Sequence, residues 1–322
     1  MDRAKGVFLD LETVDRGDLD RGELAASLSH WDWHDWSSES EIASRISGAD
    51  VIVTNKCRLD RALIGSAGRL RLIALAATGT NNVDLEAARA AGVTVCNIRD
   101  YCSESLAQHT ITLMLNLLTG QPWYRDRVRL GDWSASRQFC LQDRPIREAN
   151  GLAFGVVGYG SLGRAVAAKA AALGLDVLVA EHRGRPPRAG RLAFEEVLQR
   201  ADVLSIHCPL NEATHRLVGR DELRMMKADA ILINTARGGI VDEHALADAL
   251  REGVIGGAGV DTLTQEPPPA DHPLLAADIP GLLLTPHNAW ASRNARQAAL
   301  DQLACVIEGF ARGRPINIVV NG

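Results

Sequence analysis

The chain has 322 residues, 46% apolar and 23% charged, and at about 150 residues per domain that length implies two domains rather than one small module. Its 35 Lys and Arg against 40 Asp and Glu leave a formal net charge of -5, which argues against nucleic acid as a partner. No apolar run approaches the ~18 residues of a membrane span, the N-terminus lacks the apolar core of a secretion signal, and six cysteines without a C-x-x-C pair suit free thiols in a reducing cytoplasm, with no metal site.

Short aliphatic or β-branched runs alternate with Ala/Leu-rich helical stretches along the whole chain, the pattern of parallel sheets built from βαβ units and hence an α/β fold. In the first hundred residues the spacing predicts strands at 6–9, 51–54, 72–76 and 93–97, with a short helix over 83–91 capped by Asp84. A long helix opens at Ser103 or Ser105 and ends at Gly120 and Pro122; His109 falls on its polar side and reads as a surface residue. From 120 to 150 the periodicity fades into an Arg-rich segment carrying Trp123, Tyr124, Trp133 and Phe139, which is expected to pack on something, such as a second subunit. Six further strands follow, at 152–157, 176–180, 203–207, 230–234, 257–260 and 282–285, enough for a complete dinucleotide-type sheet. The tail 291–312 is an amphipathic helix. Aromatic residues make up only 4% of the chain, yet six are Trp. Three of these, Trp31, Trp33 and Trp36, form a cluster expected to pack on the small domain's surface.

The segment Gly158-Tyr-Gly-Ser-Leu-Gly163 lies between a predicted strand and an Ala-rich helix, the context that gives a G-x-G-x-x-G spacing its meaning. Gly158 allows the tight turn, Gly160 lets a pyrophosphate approach the backbone, Gly163 lets helix and strand pack, and the helix N-terminus faces the phosphates. Glu181, at the end of the next strand, suits the adenosine ribose hydroxyls and favours NAD. Five basic side chains follow: His182, Arg183, Arg185, Arg188 and Arg191. Most such runs are solvated loops, but Arg183 could offset Glu181 and admit NADP(H).

Three later strand ends carry polar groups where ligands bind in open α/β sheets. Arg237 stands before Gly238-Gly239, Asp261 and Glu266 follow the strand at 257–260, and His287 follows the last strand. An arginine fork can grip a carboxylate and polarise the neighbouring oxo group. A protonated histidine can donate to the carbonyl oxygen as hydride reaches C2, and a carboxylate on its other nitrogen fixes the tautomer. Together they suit acid–base chemistry on a 2-oxo acid. Cys96, Cys102 and Cys208 read as small buried apolar residues.

In order along the chain stand Ala77-Thr-Gly-Thr-Asn-Asn-Val-Asp84, the glycine segment, Asn234-Thr-Ala-Arg-Gly-Gly239, Val260-Asp261, Glu266-Pro267 and Pro286-His287. This set resembles the D-isomer-specific 2-hydroxyacid dehydrogenases over almost the whole chain. Gly79-Thr-Asn-Asn-Val-Asp84, Val95-Cys-Asn97, Tyr101-Cys-Ser103, Gln108-His109, Gly131-Asp-Trp133, Phe139-Cys140 and Pro286-His-Asn-Ala-Trp-Ala-Ser292 make it most similar to the glycerate dehydrogenase (hydroxypyruvate reductase) group, from which Asn288 departs.

The resemblance implies a Rossmann domain, 102–288, inserted into a flavodoxin-like substrate domain, 1–101 and 289–322. Arg237, Glu266 and His287 would be catalytic. Gly158, Gly160, Ser161, Leu162, Gly163, Glu181, His182, Cys208, Pro209, Thr235, Ala236, Arg237, Asp261 and His287 would line the cofactor site, with Asp261 on the nicotinamide amide. Amides at Thr78 and Gly79, together with Arg237, His287 and Trp290, would meet the substrate. It also implies a homodimer held by the 120–150 arm, with Trp133 reaching the partner's site. The implied reaction interconverts a small 2-oxo acid and its (R)-2-hydroxy acid with NAD(H) or NADP(H), hydroxypyruvate and D-glycerate leading and glyoxylate second. A D-lactate or bulkier 2-hydroxyacid dehydrogenase and a non-catalytic NADH-sensing corepressor-like scaffold are the alternatives.

Overall fold

The computed structural model describes residues 4–322; residues 1–3, where the N-terminal reading begins, lie outside it. The chain forms two compact units, one from Met1–Cys102 with Ala291–Gly322 and the other from Ser103–Trp290. In chain order the first unit contributes β1 (Lys5–Phe8), α1 (Gly22–Ala26), β2 (His30–Trp33), α2 (Glu39–Ile46), β3 (Val51–Thr54), α3 (Arg61–Ser66), β4 (Leu72–Leu75), α4 (Leu85–Ala90) and β5 (Thr94–Cys96). The second holds α5 (Ser103–Thr119), α6 (Gln121–Arg129), α7 (Asp132–Ala135), β6 (Ala153–Val157), α8 (Ser161–Ala172), β7 (Asp176–Val179), α9 (Phe194–Arg200) and β8 (Val203–Ile206). It continues through α10 (Arg220–Met225), β9 (Ile231–Asn234), α11 (Glu243–Arg251), β10 (Gly257–Val260) and β11 (Leu282–Leu284). The chain then returns to the first unit with α12 (Arg293–Ala311) and β12 (Ile318–Val320).

The first unit's sheet has the order β12-β5-β4-β3-β1-β2, parallel except for β12. That is the 2-1-3-4-5 winding of flavodoxin-like folds with an antiparallel edge strand added. Side chains of successive strand residues point to opposite faces. Phe8, Val51, Val53, Leu72 and Ala74 therefore meet α1 and the apolar side of α12, including Leu300, Leu303 and Ile307. Val7, Ile52, Ile73 and Leu75 meet α2, α3 and α4 on the other side. Strands covered on both faces are buried at every position and so mostly apolar, as Val51–Thr54 and Leu72–Leu75 are. Emptying such a core position, for example Leu303→Ala, costs about 3 kcal/mol.

The tryptophan cluster packs at the edge of the small domain, where Trp31 and Trp33 belong to the edge strand β2. Trp31 and Trp33 lie on one face of β2 with ring centroids 4.6 Å apart, Trp33 stacks on Phe8, and only Trp36, beyond the strand, is well exposed. Trp31 packs against Gly6, where a Cβ would stand 2.7 Å from its ring.

The second sheet is wholly parallel, in the order β11-β10-β9-β8-β6-β7. Helices α5 and α8 cover one face through Leu113, Met114, Val166 and Ala170, while α9, α10 and α11 cover the other. The winding reverses between β6 and β8, so the crevice outside their C-terminal ends is where such sheets bind ligands. In the 120–150 region, where periodicity fades, the chain forms α6 and α7, and one expectation changes. Pro122 opens α6 rather than stopping α5, because its missing N–H costs nothing in a first turn.

Candidate active site

At the reversal point the glycines do three separate jobs. Gly158 ends β6 with φ +92°, and a Cβ there would meet the Cys208 backbone nitrogen at 2.5 Å. A Cβ on Gly163 would stand 2.0 Å from the Gly158 carbonyl oxygen, so turn and helix are in backbone contact. A Cβ on Gly160 would meet nothing within 4 Å. Gly160 is also the N-cap of α8 and supplies no side-chain partner to its first N–H groups. Open space before uncapped amides is a cradle for a phosphate. The residues therefore fit a dinucleotide, with Ser161 and Leu162 in the first turn of α8.

Cys208 and Pro209 follow β8, and Thr235 and Ala236 follow β9. Burial pushes the Cys96 and Cys208 thiols up to about 11, so both behave as apolar fillers. His207, just before Cys208, donates or accepts one bond through Nε2 to Ser205 Oγ at 2.8 Å. Its enclosed Nδ1 has no hydrogen-bond partner among the described residues, and burial lowers the imidazole to about 4.

Glu181 stands at the end of β7 as expected, but the basic partner is not Arg183. Arg183 donates to Glu222 at 2.6 Å. Arg188 reaches Glu181 instead, Nε at 2.5 Å and Nη2 at 2.7 Å. The Arg188 side-chain bonds and then the His182 backbone N–H hold the Glu181 carboxyl well below the usual carboxylate range. His182 itself is exposed.

Three loops at the ends of β9, β10 and β11 carry the remaining groups. Asn234 closes the first: its Oδ1 accepts from Ala236 N and its Nδ2 donates to the Arg237 carbonyl. Arg237 is exposed, with Nη1 donating to Ala236 O. A Cβ on Gly238 would lie 2.0 Å from the Leu263 carbonyl carbon, so this loop packs backbone to backbone on the one that carries Glu266. There Glu266 Oε1 accepts from Leu263 N at 2.8 Å, and Oε2 bonds His287 Nδ1 at 2.6 Å. That bond occupies the ring nitrogen facing Glu266 and leaves Nε2 as the site for a mobile proton. Glu243 on α11 supports the same loop, accepting from Thr264 N, Thr264 Oγ1 and His272.

His287 has φ +51°, an unusual conformation for a side chain with a Cβ. The buried Asp261 holds it there. One carboxylate oxygen accepts from Thr285 Oγ1 at 2.6 Å and Asn288 N at 3.0 Å; the other accepts from Ala289 N at 3.0 Å. Trp290 Nε1 adds a bond to the His287 carbonyl. His109 is not a surface residue: it is half-buried, with Nε2 3.0 Å from Thr285 Oγ1 and 3.6 Å from Asp261 Oδ1. Periodicity placed it on a polar helix side, which here faces the β11 loop. Asn234, Gly238 and Thr285 are further positioning residues that residue type alone does not reveal, although each lies inside or beside one of the motifs.

In the first unit Thr78 and Gly79 follow β4. Thr78 Oγ1 donates to the Ile98 carbonyl, and Asn97 Nδ2 donates to the Thr78 carbonyl. Asp84 caps α4 through Ala87 N, as predicted. Among the described residues no group of three His, Cys, Asp or Glu is placed to hold a metal ion, and no helix is long and apolar enough to cross a membrane.

A parallel sheet with a phosphate cradle at its reversal point, and a Glu–His pair beside an arginine loop, define an NAD-dependent oxidoreductase. The D-isomer specific 2-hydroxyacid dehydrogenase, NAD binding domain, family matches residues 111–289. Glycerate dehydrogenase of Methylorubrum extorquens is 43% identical over 315 residues, covering 98% of each chain. Hydroxypyruvate reductase of Blautia hydrogenotrophica is 33% identical over 321 residues, 98% of this chain and 99% of that one. The crystal structure of D-lactate dehydrogenase from Aquifex aeolicus, complexed with NAD and lactic acid, superposes with a TM-score of 0.82 at 26% identity, covering 98% of this chain and 99% of that one. The chain belongs to the D-isomer-specific 2-hydroxyacid dehydrogenases, oxidoreductases that act on a CH–OH group with NAD or NADP. Within them it is closely related to the glycerate dehydrogenase and hydroxypyruvate reductase group.

Proposed function

We propose that the chain reduces hydroxypyruvate to D-glycerate and catalyses the reverse, with glyoxylate as a second substrate and NAD(H) as cofactor. The single observation that carries the chemistry is the 2.6 Å contact between His287 Nδ1 and Glu266 Oε2. The hydroxypyruvate assignment rests on the similarity to the two bacterial relatives over almost their whole lengths.

Bound NADH supplies the hydride that reaches C2. Arg237 binds the substrate carboxylate with its planar fork and polarises the oxo group. His287 gives the proton on Nε2 to the carbonyl oxygen, which becomes the hydroxyl; in the oxidative direction the same nitrogen takes it back. Glu266 accepts from Nδ1–H and so fixes the tautomer and the orientation of the ring. Asp261, fixed to the 285–289 backbone, keeps His287 in its left-handed conformation. Residues 102–288 act as the dinucleotide-binding domain, with Gly158, Gly160, Ser161, Leu162, Gly163, Glu181, His182, Cys208, Pro209, Thr235 and Ala236 as its cofactor contacts. Residues 1–101 and 289–322 act as the substrate domain, whose Thr78 and Gly79 amides meet the carboxylate; Trp290 contributes to substrate fit.

The protein works as a homodimer in the cytoplasm. Leu130 and Phe139 in the α6–α7 region are 75% and 89% exposed, and Trp133 is half exposed, apolar surface that a second copy would cover. NADH oxidation, followed by absorbance, with hydroxypyruvate, glyoxylate and pyruvate tests the substrate reading. The specificity constant is expected to be highest for hydroxypyruvate. Absence of turnover with every 2-oxo acid tried would overturn the reading.

A further inference from the structure

We propose that Arg188 is the residue that sets cofactor choice, screening Glu181 so that a ribose 2′-phosphate is accepted where a bare carboxylate would repel it. The inference rests on the dinucleotide reading of the second unit and not on the identity of the 2-oxo acid.

The Glu181 side chain is 1% exposed, and its carboxylate is already engaged. Oε1 accepts from His182 N at 2.9 Å and from Arg188 Nη2 at 2.7 Å, and Oε2 accepts from Arg188 Nε at 2.5 Å. The Arg188 backbone nitrogen lies 3.4 Å from Oε2, and Arg191 Nη1 stands 3.7 Å from Oε1. A carboxylate has about four lone-pair sites, so ribose hydroxyls can reach these oxygens only by displacing the Arg188 side chain. That side chain is 61% exposed and can leave without emptying a core. The base of the 182–191 loop stays in place: Glu181 N donates to Leu192 O, and Leu192 N to Val179 O.

The charges favour an exchange between two arrangements. With one carboxylate against Arg188 and Arg191, the local sum is positive, suited to a phosphate dianion. With the guanidinium swung out, Glu181 is left to accept from the 2′- and 3′-hydroxyls of an unphosphorylated ribose. Arg183 is engaged elsewhere, 2.6 Å from Glu222 and 3.7 Å from Glu195, and so does not screen Glu181 as Arg188 does. Arg188 is thus a specificity residue for the adenosine end of the cofactor, distant in role from the proton-transfer groups.

The test is equilibrium binding rather than turnover. The wild-type protein and the Arg188→Ala, Glu181→Ala and Arg183→Ala variants are titrated with NADH and NADPH by fluorescence, and with 5′-ADP and 2′,5′-ADP by calorimetry. Losing a charge-assisted contact to phosphate is expected to weaken NADPH and 2′,5′-ADP about tenfold in Arg188→Ala, while NADH and 5′-ADP bind as well or better. Glu181→Ala should weaken NADH more than NADPH, and Arg183→Ala should leave the ratio unchanged. Equal weakening of both cofactors in Arg188→Ala, no change in either, or a wild-type protein that binds NADH and 5′-ADP but neither of the 2′-phosphorylated ligands would each overturn the proposal. Failure of the hydroxypyruvate reading would appear as absent turnover with these binding ratios intact. Circular dichroism of each variant confirms the fold on which the comparison depends.

Discussion

Replacing Gly163 and Gly160 by alanine, one at a time, separates packing from ligand binding in the same turn. At Gly163 the new methyl would sit 2.0 Å from the Gly158 carbonyl oxygen, a backbone atom at the end of β6. Turn and helix must separate by about 1 Å to relieve that contact, an overpacking cost of about 3 kcal/mol. Alanine's better helix propensity returns about 1 kcal/mol, leaving a net loss of about 2 kcal/mol. For a domain of this size that lowers Tm by about 4–8 °C. At Gly160 nothing lies within 4 Å, so the methyl meets no protein atom. The loss of a glycine N-cap, about 0.5 kcal/mol, is offset by the stiffer unfolded chain, and Tm should stay within about 2 °C. Yet the methyl fills the space that the pyrophosphate would occupy, and NADH affinity should fall at least about tenfold, an energetic loss of about 1.4 kcal/mol. The assay is a pair of measurements on each variant: thermal unfolding without cofactor, and fluorescence titration with NADH. A Gly160→Ala protein as unstable as Gly163→Ala, or one that binds NADH like wild type, would refute the reasoning.

Other substitutions probe the chemistry, the pH response and the assembly. His287→Gln should lower kcat by about two or more orders of magnitude with little change in KM, whereas Arg237→Ala should raise KM for the 2-oxo acid strongly; steady-state kinetics with hydroxypyruvate distinguish these. His207 is held neutral by burial at about 4, so below its unfolded value near 6.5 the unfolded chain takes up a proton that the native one refuses. Stability present above about pH 6.5 is therefore lost progressively as pH falls toward 4, on the order of 2 kcal/mol in all. Urea unfolding of His207→Gln should show a shallower loss than wild type over this interval, and an unchanged slope would contradict the assignment. Phe139→Glu, at an exposed position outside the two sheets, should shift sedimentation toward the monomer while leaving the far-ultraviolet circular dichroism spectrum intact.

Much of the architecture was readable because burial on both faces leaves no freedom in composition. The strands at 51–54 and 257–260 coincide with Val51–Thr54 and Gly257–Val260. The expected strand at 72–76 differs from Leu72–Leu75 by one residue. The two edge strands of the first sheet escaped: β2 reads His-Trp-Asp-Trp, since an edge need not be apolar on both sides, and β12 comprises only the three residues Ile318–Val320. The α6–α7 segment lost its periodicity for a related reason, since neither helix contains a buried residue. The glycine spacing, and Arg237, Glu266 and His287, could be found by inspection because their residue types are chemically specific.

What the sequence by itself determined was the class of fold, the position of the phosphate turn and the residue types available for proton transfer. Only the tertiary structure decided which of them meet. It brought Glu266 to His287 across a gap of 21 residues, turned His109 from a polar helix side toward Asp261 and Thr285, and exchanged Arg183 for Arg188 as the partner of Glu181. The reason is physical. Periodicity reports which side of an element is covered, because burial acts on the element as a whole. The pairing of two charged groups depends on loop paths and on distances of a few ångströms, which no local pattern encodes.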